Sequence, residues 1–203
     1  MASLCSMSAE SSSSLGKHEL CLNTEPTGTR KIHYQAGEEW DFDLESHRPI
    51  DLSLNLPHYR ARLQPIDHRL SMSISGGNAP IKLKVCRTVP RARFYLEVHA
   101  SYSNVTIWVP SDFNGHIRHT GKASFSAGFV NRMLGNVHLN EEMYEEWGGD
   151  EIVVGTAGTV TFRMWDTHTG APENAKKETW KRMFGCTKKA PETAINWDFL
   201  LDD

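Results

Sequence analysis

The chain has 203 residues, with 22 basic and 25 acidic side chains and a formal net charge of −3. This length suggests a single domain, and the near balance of charge excludes a strongly basic nucleic-acid-binding domain. The hydrophobic fraction is 39%, which is low for a globular protein. Most of the shortfall lies toward the two ends, so the composition predicts a folded core with polar flanks.

The four cysteines are far apart and form no C-x-x-C pair. We therefore expect neither a disulfide framework nor a cysteine zinc site. The N-terminal residues lack the basic and apolar regions of a signal peptide, and no apolar stretch is long enough to span a bilayer. These features predict an intracellular protein, either cytoplasmic or nuclear.

Residues 1–30 are rich in Ser, Thr, Glu and Gly and contain few large apolar side chains. Such a segment buries too little apolar surface to offset the entropy of ordering, which predicts disorder. Residues 31–170 are predicted to form one β-rich domain with its core at 70–170. The alternating stretch 51–56 is typical of an edge strand that ends at Pro57.

From Phe94 to Met164, apolar and polar residues alternate in short bursts. A period of two predicts strands with one buried and one solvated face. The same alternation occurs on both sides of 76–78, at Leu70, Met72 and Ile74 and at Ile81, Leu83 and Val85. Gly and Asn between bursts, as at 76–78 and 157–158, supply the positive φ of tight hairpins. The predicted fold class is mainly β: an antiparallel two-layer sandwich or a solenoid-like stack of hairpins, with one or two short helices.

Two segments have helical features. After Ser126, apolar residues recur at helical spacing up to Gly135. A second helix is predicted over 172–184, because Pro172 and Glu173 suit a helix start and lysines suit its end. With the aromatic and acidic tail, this second helix makes up a C-terminal part at 171–203.

Two strings in the core have a recognisable pattern: Asn104–Ile117 (NVTIWVPSDFNGHI), and 149–154 (GDEIVV) followed by 160–166 (VTFRMWD). They resemble motifs of a family from fungi, widespread in basidiomycetes, that is known only as a domain of unknown function. The similarity covers about residues 70–170. It implies a fungal source and a β-rich domain, and it implies no activity, cofactor or catalytic residue.

Candidate metal ligands have simpler structural interpretations. His116 and His119 are three residues apart, which on a strand places them on opposite faces, so solvent-facing imidazoles are favoured. The acidic stretch 141–151 lacks the regular spacing of a calcium loop and is interpreted as a solvated loop. We assign no metal ligand, no cofactor and no catalytic residue.

Three carboxylates lie at strand ends, namely Asp112, Asp150 and Asp166. Two of them could act as an acid/base pair on a sugar polymer if their separation were roughly 5–10 Å. The sequence does not set that separation, and a turn-forming role suits Asp112 equally well. A carbohydrate-acting hydrolase is therefore one alternative function.

The C-terminal part contains the candidate partner-binding residues. Trp197 and Leu200 have an aromatic-x-x-aliphatic spacing that resembles an autophagy-type interaction motif, in which an extended peptide adds to a sheet edge. The alternative is that this tail packs back onto the core. The basic helix suggests either docking on the domain or a lipid surface. The six candidates are Trp180, Lys181, Arg182, Trp197, Phe199 and Leu200.

The function predicted from these features is a non-enzymatic protein-interaction module. Its partner would bind the C-terminal tail, and no nucleic-acid partner is expected. Two alternatives stay open: a membrane-surface or lipid-associated protein that uses the basic helix at 172–189, and the hydrolase.

Overall fold

The structure is a computed structural model that describes residues 25–88, 92–141, 148–174, 176 and 178. These residues form strands, one short α-helix, α1 (Ala127–Arg132), and one 3-10 turn at Leu134–Asn136. The strands are β1 (Thr27–Lys31), β2 (Phe42–Ser46), β3 (Ile50–Asn55), β4 (Leu70–Gly76), β5 (Ile81–Cys86), β6 (Phe94–Ala100), β7 (Val105–Pro110), β8 (Gly115–His119), β9 (Lys122–Phe125), β10 (Val137–Leu139), β11 (Asp150–Gly155), β12 (Thr159–Asp166) and β13 (Ala171–Pro172).

The strands form two sheets. Sheet 1 has the order β1-β3-β5-β7-β12, and both β9 and β13 pair with β12. Sheet 2 has the order β10-β8-β11-β6-β4-β2. From β1 to β10 the chain alternates strictly between the two sheets, so successive strands form coils that stack in a solenoid-like arrangement.

The prediction of antiparallel pairing is wrong. Every pairing is parallel except that of the two-residue β13 with β12. The Gly-containing turns do connect successive strands, but these strands lie in different sheets, whereas the two strands of a hairpin are neighbours in the same sheet. Alternation could not reveal this, because each strand has one buried face in either arrangement.

The last coil lies out of sequence order. β11 lies between β6 and β8 in sheet 2, and β12 lies between β7 and β9 in sheet 1. The start of β11 approaches β8 so closely that a Cβ on Gly115 would overlap the backbone oxygen of Asp150. This contact explains why glycine begins β8.

The inward side chains form one apolar core between the sheets. The alternating residues of β4, β5 and β6 are buried as predicted. Phe129 of α1 is buried against Phe125 and Phe162 at one end of the core. The predicted helix after Ser126 is confirmed, and its first turn is capped by Ser126, whose hydroxyl accepts from the Phe129 N–H.

At both ends of the domain, the structure differs from the predictions. Thr27–Lys31 form β1, although residues 1–30 were predicted to be disordered; β1 is mostly exposed and is held by backbone pairing with β3 instead of by apolar burial. For the same reason β3 is not an edge strand. The predicted start of the second helix is wrong: Pro172 belongs to β13, and Glu173 and Asn174 are not helical. Lys176 and Glu178 are helical, and the other residues of the predicted helix, 175, 177 and 179–184, lie outside the described residues.

The parallel arrangement gives the stack two different edges. Connections from sheet 2 to sheet 1 have two to four residues and all lie at one edge, the short-turn edge. Connections from sheet 1 to sheet 2 have four to fourteen residues and lie at the opposite edge, the long-loop edge. None of the helices in the described part of the chain is long and apolar enough to cross a membrane.

Candidate interaction surface

A buried arginine organises the interior of the long-loop edge. Arg87 follows β5, and all three of its guanidinium nitrogens donate to carboxylates. It contacts Asp112 at 3.0 Å and Asp150 at 2.9 Å, and it also donates to the backbone oxygen of Ala92. The two carboxylates raise the pKa of Arg87 against the lowering effect of burial. This centre ties the β5–β6 and β7–β8 connections to the start of β11.

The Arg87 centre brings together two of the three predicted carboxylates. Asp112 and Asp150 contact the same Arg87 nitrogen, so their nearest oxygens lie no more than about 6 Å apart. They border a cavity of about 440 Å³. Burial raises the pKa of Asp150, and Arg87 opposes that increase.

Asp166 lies elsewhere, paired with Arg132 at 3.1 Å. Burial acts to raise its pKa, but the hydrogen bond from Arg132 holds the pKa below its ordinary value. The sequence therefore singled out three carboxylates, of which the fold brings two together.

The two histidines lie on opposite faces of β8, as predicted, but they are not solvent-facing. His116 is buried and stacks on His138, with ring centroids 4.8 Å apart. His119 is half-buried against the ring of Phe162. Burial lowers the pKa of both imidazoles. Among the described residues, no three His, Cys, Asp or Glu side chains are grouped to hold a metal ion.

The outer face of sheet 2 carries a cross-strand polar network. Glu97 accepts from the Tyr95 hydroxyl at 2.8 Å and from His99 at 2.6 Å. Burial and the bond to Glu97 raise the pKa of Tyr95 to about 12. Glu151 is buried and binds Arg69 and Arg118. Since each carboxylate is hydrogen-bonded to neighbouring side chains, the network fits a structural role that joins β6, β8, β11 and the residue before β4.

The surface of the long-loop edge differs from its interior. We define the recognition loop as residues 57–68, most of the connection between β3 and β4. Tyr59, Leu63 and Ile66 are 87%, 79% and 82% exposed. Among the described residues only Tyr102, at the short-turn edge, is a comparably exposed large apolar side chain. Exposed apolar side chains gathered in one loop are typical of a binding surface.

Hydrogen bonds hold both ends of the recognition loop. At its start, the His58 ring lies 2.8 Å from the hydroxyl of Thr88. At its end, His68 lies 2.7 Å from the carboxylate of Asp41 and packs edge-on against Tyr34. Asp41 is buried and also accepts from the backbone N–H groups of Gln35 and Ser71. Both ends of the loop are therefore fixed to neighbouring parts of the fold.

Basic side chains and a cavity complete the surface. Arg60 and Arg62 are exposed on the loop, and Arg93 is exposed beside it. A cavity of about 400 Å³ is lined by Tyr59, Arg60, Ile66 and Arg93, among others. This volume suits one large side chain of a partner.

The predicted partner-binding residues cannot be compared with this surface. Trp180, Lys181, Arg182, Trp197, Phe199 and Leu200 all lie outside the described residues. Sequence reasoning did not find the recognition loop. The sequence feature that could have identified the loop is a long stretch of mixed apolar and basic residues around Pro57 and Pro65. Its apolar residues follow no periodicity that would place them on a buried face.

Comparisons with known proteins give one match. No curated protein and no solved structure matches the chain. The model of a family described as a domain of unknown function, DUF7330, matches residues 42–167, which run from β2 to the residue after β12. The chain therefore belongs to the DUF7330 family of domains of unknown function.

Proposed function

We propose that this protein is a non-enzymatic interaction module whose recognition loop binds a segment of a partner protein. The observation that supports this most is the gathering of Tyr59, Leu63 and Ile66, all exposed, in one anchored loop. In stacked-coil proteins, insertions at one edge often form the binding face. A fungal source and an intracellular location belong to the same proposal.

The charges around the loop indicate the chemistry of the partner. Arg60, Arg62 and Arg93 surround the exposed apolar side chains, and Asp67 is the one acidic residue of the loop. A partner segment with apolar anchors between acidic residues would match both properties. Because the loop is held at both ends, little entropy is lost when it binds.

The test is capture of partners from native lysate by the full chain. Replacement of Tyr59, Leu63 and Ile66 by Ser should remove the specific partners, since each anchor loses its apolar contact. The matched control is Tyr102→Ser, which removes an equally exposed ring at the short-turn edge. The captured partner is then titrated by calorimetry against both variants. Identical binding by the triple variant and the control would contradict the proposal.

The C-terminal tail is a second prediction within this function. Trp197→Ser with Leu200→Ser, in the otherwise native chain, removes both predicted anchors of the tail motif. If the tail takes part, this variant loses partners that the recognition-loop variant retains. Retention of every partner would exclude the tail.

A hydrolase is the second candidate function, supported by the closeness of Asp112 and Asp150 beside a cavity. Against it, Arg87 holds both carboxylates in ion pairs that join neighbouring segments of the fold, and Asp150 is buried. Release of reducing sugar from a panel of polysaccharides, abolished by Asp112→Asn, would favour this candidate. No release by the native chain would exclude it for those substrates.

A further inference from the structure

The outer faces of the two sheets carry opposite charge. The outward positions of sheet 1 hold five cationic side chains and one acidic side chain, and those of sheet 2 hold four acidic side chains and one cationic. On sheet 1 these are Lys31, Lys82, Lys84, Lys122, Arg163 and Asp51; on sheet 2 they are Asp43, Glu45, Glu97, Glu151 and Arg118. The chain as a whole has a formal net charge of −3, so the positive face results from segregation of charge.

We propose that the outer face of sheet 1 docks the protein reversibly onto an anionic lipid bilayer. This inference goes beyond the recognition loop, which lies at an edge of the stack, and it does not depend on the basic segment at 172–189. The partner is identified by charge complementarity and by the shape of the face.

Three of the cations are available to a partner. Lys31, Lys82 and Lys122 are exposed, and they make no ion pair within the described part of the chain. The other two are partly neutralised: Lys84 binds Asp51 at 2.8 Å, and Arg163 lies 3.5 Å from Glu173. The face therefore presents spread, accessible positive charge.

The shape of the face favours a surface over a narrow ligand. Six neighbouring strands at ~4.8 Å spacing make the face about 24 Å across. The available lysines lie on its first, third and sixth strands, so a partner must extend across the whole sheet to meet them all. The acidic outer face of sheet 2 is repelled by the same surface, which orients the molecule.

Two aromatic side chains occupy outward positions on this face: Trp108 in β7 and Trp165 near the end of β12. The more central one, Trp108, argues against a single-stranded nucleic acid. Such partners stack bases on free aromatic rings. The ring of Trp108 is already contacted by two cations, with Lys84 at 5.6 Å and Arg163 at 5.4 Å from the ring. A bilayer needs no free ring, because each lysine near an anionic leaflet strengthens binding roughly fivefold.

The test is co-sedimentation of the full chain with phosphatidylcholine vesicles, with and without about one third phosphatidylserine. We expect retention only by the vesicles that contain phosphatidylserine, and loss of retention at high salt. Lys31→Gln with Lys82→Gln should weaken binding roughly 25-fold. The control is Arg48→Gln, compared with the single variant Lys82→Gln: it makes an equal change of charge at an exposed position in the turn between β2 and β3, where Arg48 lies 4.0 Å from Glu25.

Each other outcome overturns the proposal. Equal retention of the protein by neutral vesicles would show that the binding does not depend on the negative charge of the lipid. Equal weakening of vesicle binding by Lys82→Gln and Arg48→Gln would show an effect of net charge alone. No retention, combined with binding of polyuridylate through the same lysines, would assign the face to nucleic acid. The Tyr59, Leu63 and Ile66 variant should keep its vesicle binding, so failure of the recognition loop and failure of this inference are distinguishable.

Discussion

The two edges of the coil stack differ although the same strands end at both. At the short-turn edge, connections of two to four residues pass from one sheet to the other, and hydrogen bonds such as those between Thr120 and Thr156 join the turns of neighbouring coils. At the long-loop edge, the connections are longer and enclose the Arg87 centre, while the recognition loop lies on the surface. Within the long-loop edge, the residues that stabilise the fold are therefore different from those proposed to bind a partner. Variants should distinguish these two roles.

The largest effect is expected at the Arg87 centre. Arg87→Ala removes every bond that the guanidinium makes and leaves the buried Asp150 carboxylate without its cation. Loss of one partner of a buried ion pair costs about 3–5 kcal/mol. Urea unfolding measures this loss. Arg93→Ala is the control, since Arg93 is exposed beside the same cavity; equal destabilisation by both variants would contradict a structural role for Arg87.

The next effect tests the anchor of the recognition loop. Asp41→Ala removes the acceptor of His68 and of two backbone N–H groups, which should cost about 2–3 kcal/mol. Hydrogen exchange should also rise at 57–68, because the end of the loop is released. Asp43→Ala, at an exposed position two residues later, is the control. Unchanged exchange in the Asp41 variant would show that the loop is ordered by other contacts.

Insertions compare the two edges directly. A Gly-Ser-Gly-Ser insertion after Arg62 only lengthens a loop, so it should cost no more than about 0.6 kcal/mol. The same insertion after Thr120 separates two coils that are joined by the Thr120 and Thr156 bonds, with an expected cost of about 2 kcal/mol. Urea midpoints of the two variants give the comparison. A larger loss of stability from the insertion after Arg62 would contradict the conclusion that the short-turn edge is the more sensitive of the two.

The smallest expected effect is a dependence of stability on pH. Burial lowers the pKa of His116 and His119 below 6.5 in the folded protein, so the unfolded chain binds protons first as pH falls. Stability should be complete above about pH 6.5 and should decrease as pH falls through the folded pKa values. Urea unfolding at about pH 7.5 and about pH 5.5 measures the decrease. The variant His119→Gln should show a smaller decrease; an equal decrease would exclude His119 as a contributor.

Local patterns in the sequence predicted local features of the structure. The alternation of Leu70, Met72 and Ile74 identified buried positions, and Ser126 identified the start of α1. The turn signals at 76–78 and 157–158 also lie where the chain reverses between strands. Each of these features depends on neighbouring residues, whose spacing the sequence contains.

The sequence by itself determined which side of each strand is buried and where the chain turns, because side-chain period and turn chemistry are local. Only the tertiary structure decided which strands are neighbours, since backbone hydrogen bonds are chemically alike for every pair of strands. The insertion of β11–β12 between two earlier coils follows from contacts across more than thirty positions, as between Ile152 and Ile117. The same long-range pairing brought Asp150 to Arg87 and left Tyr59, Leu63 and Ile66 exposed, so the candidate site depended on the fold as a whole.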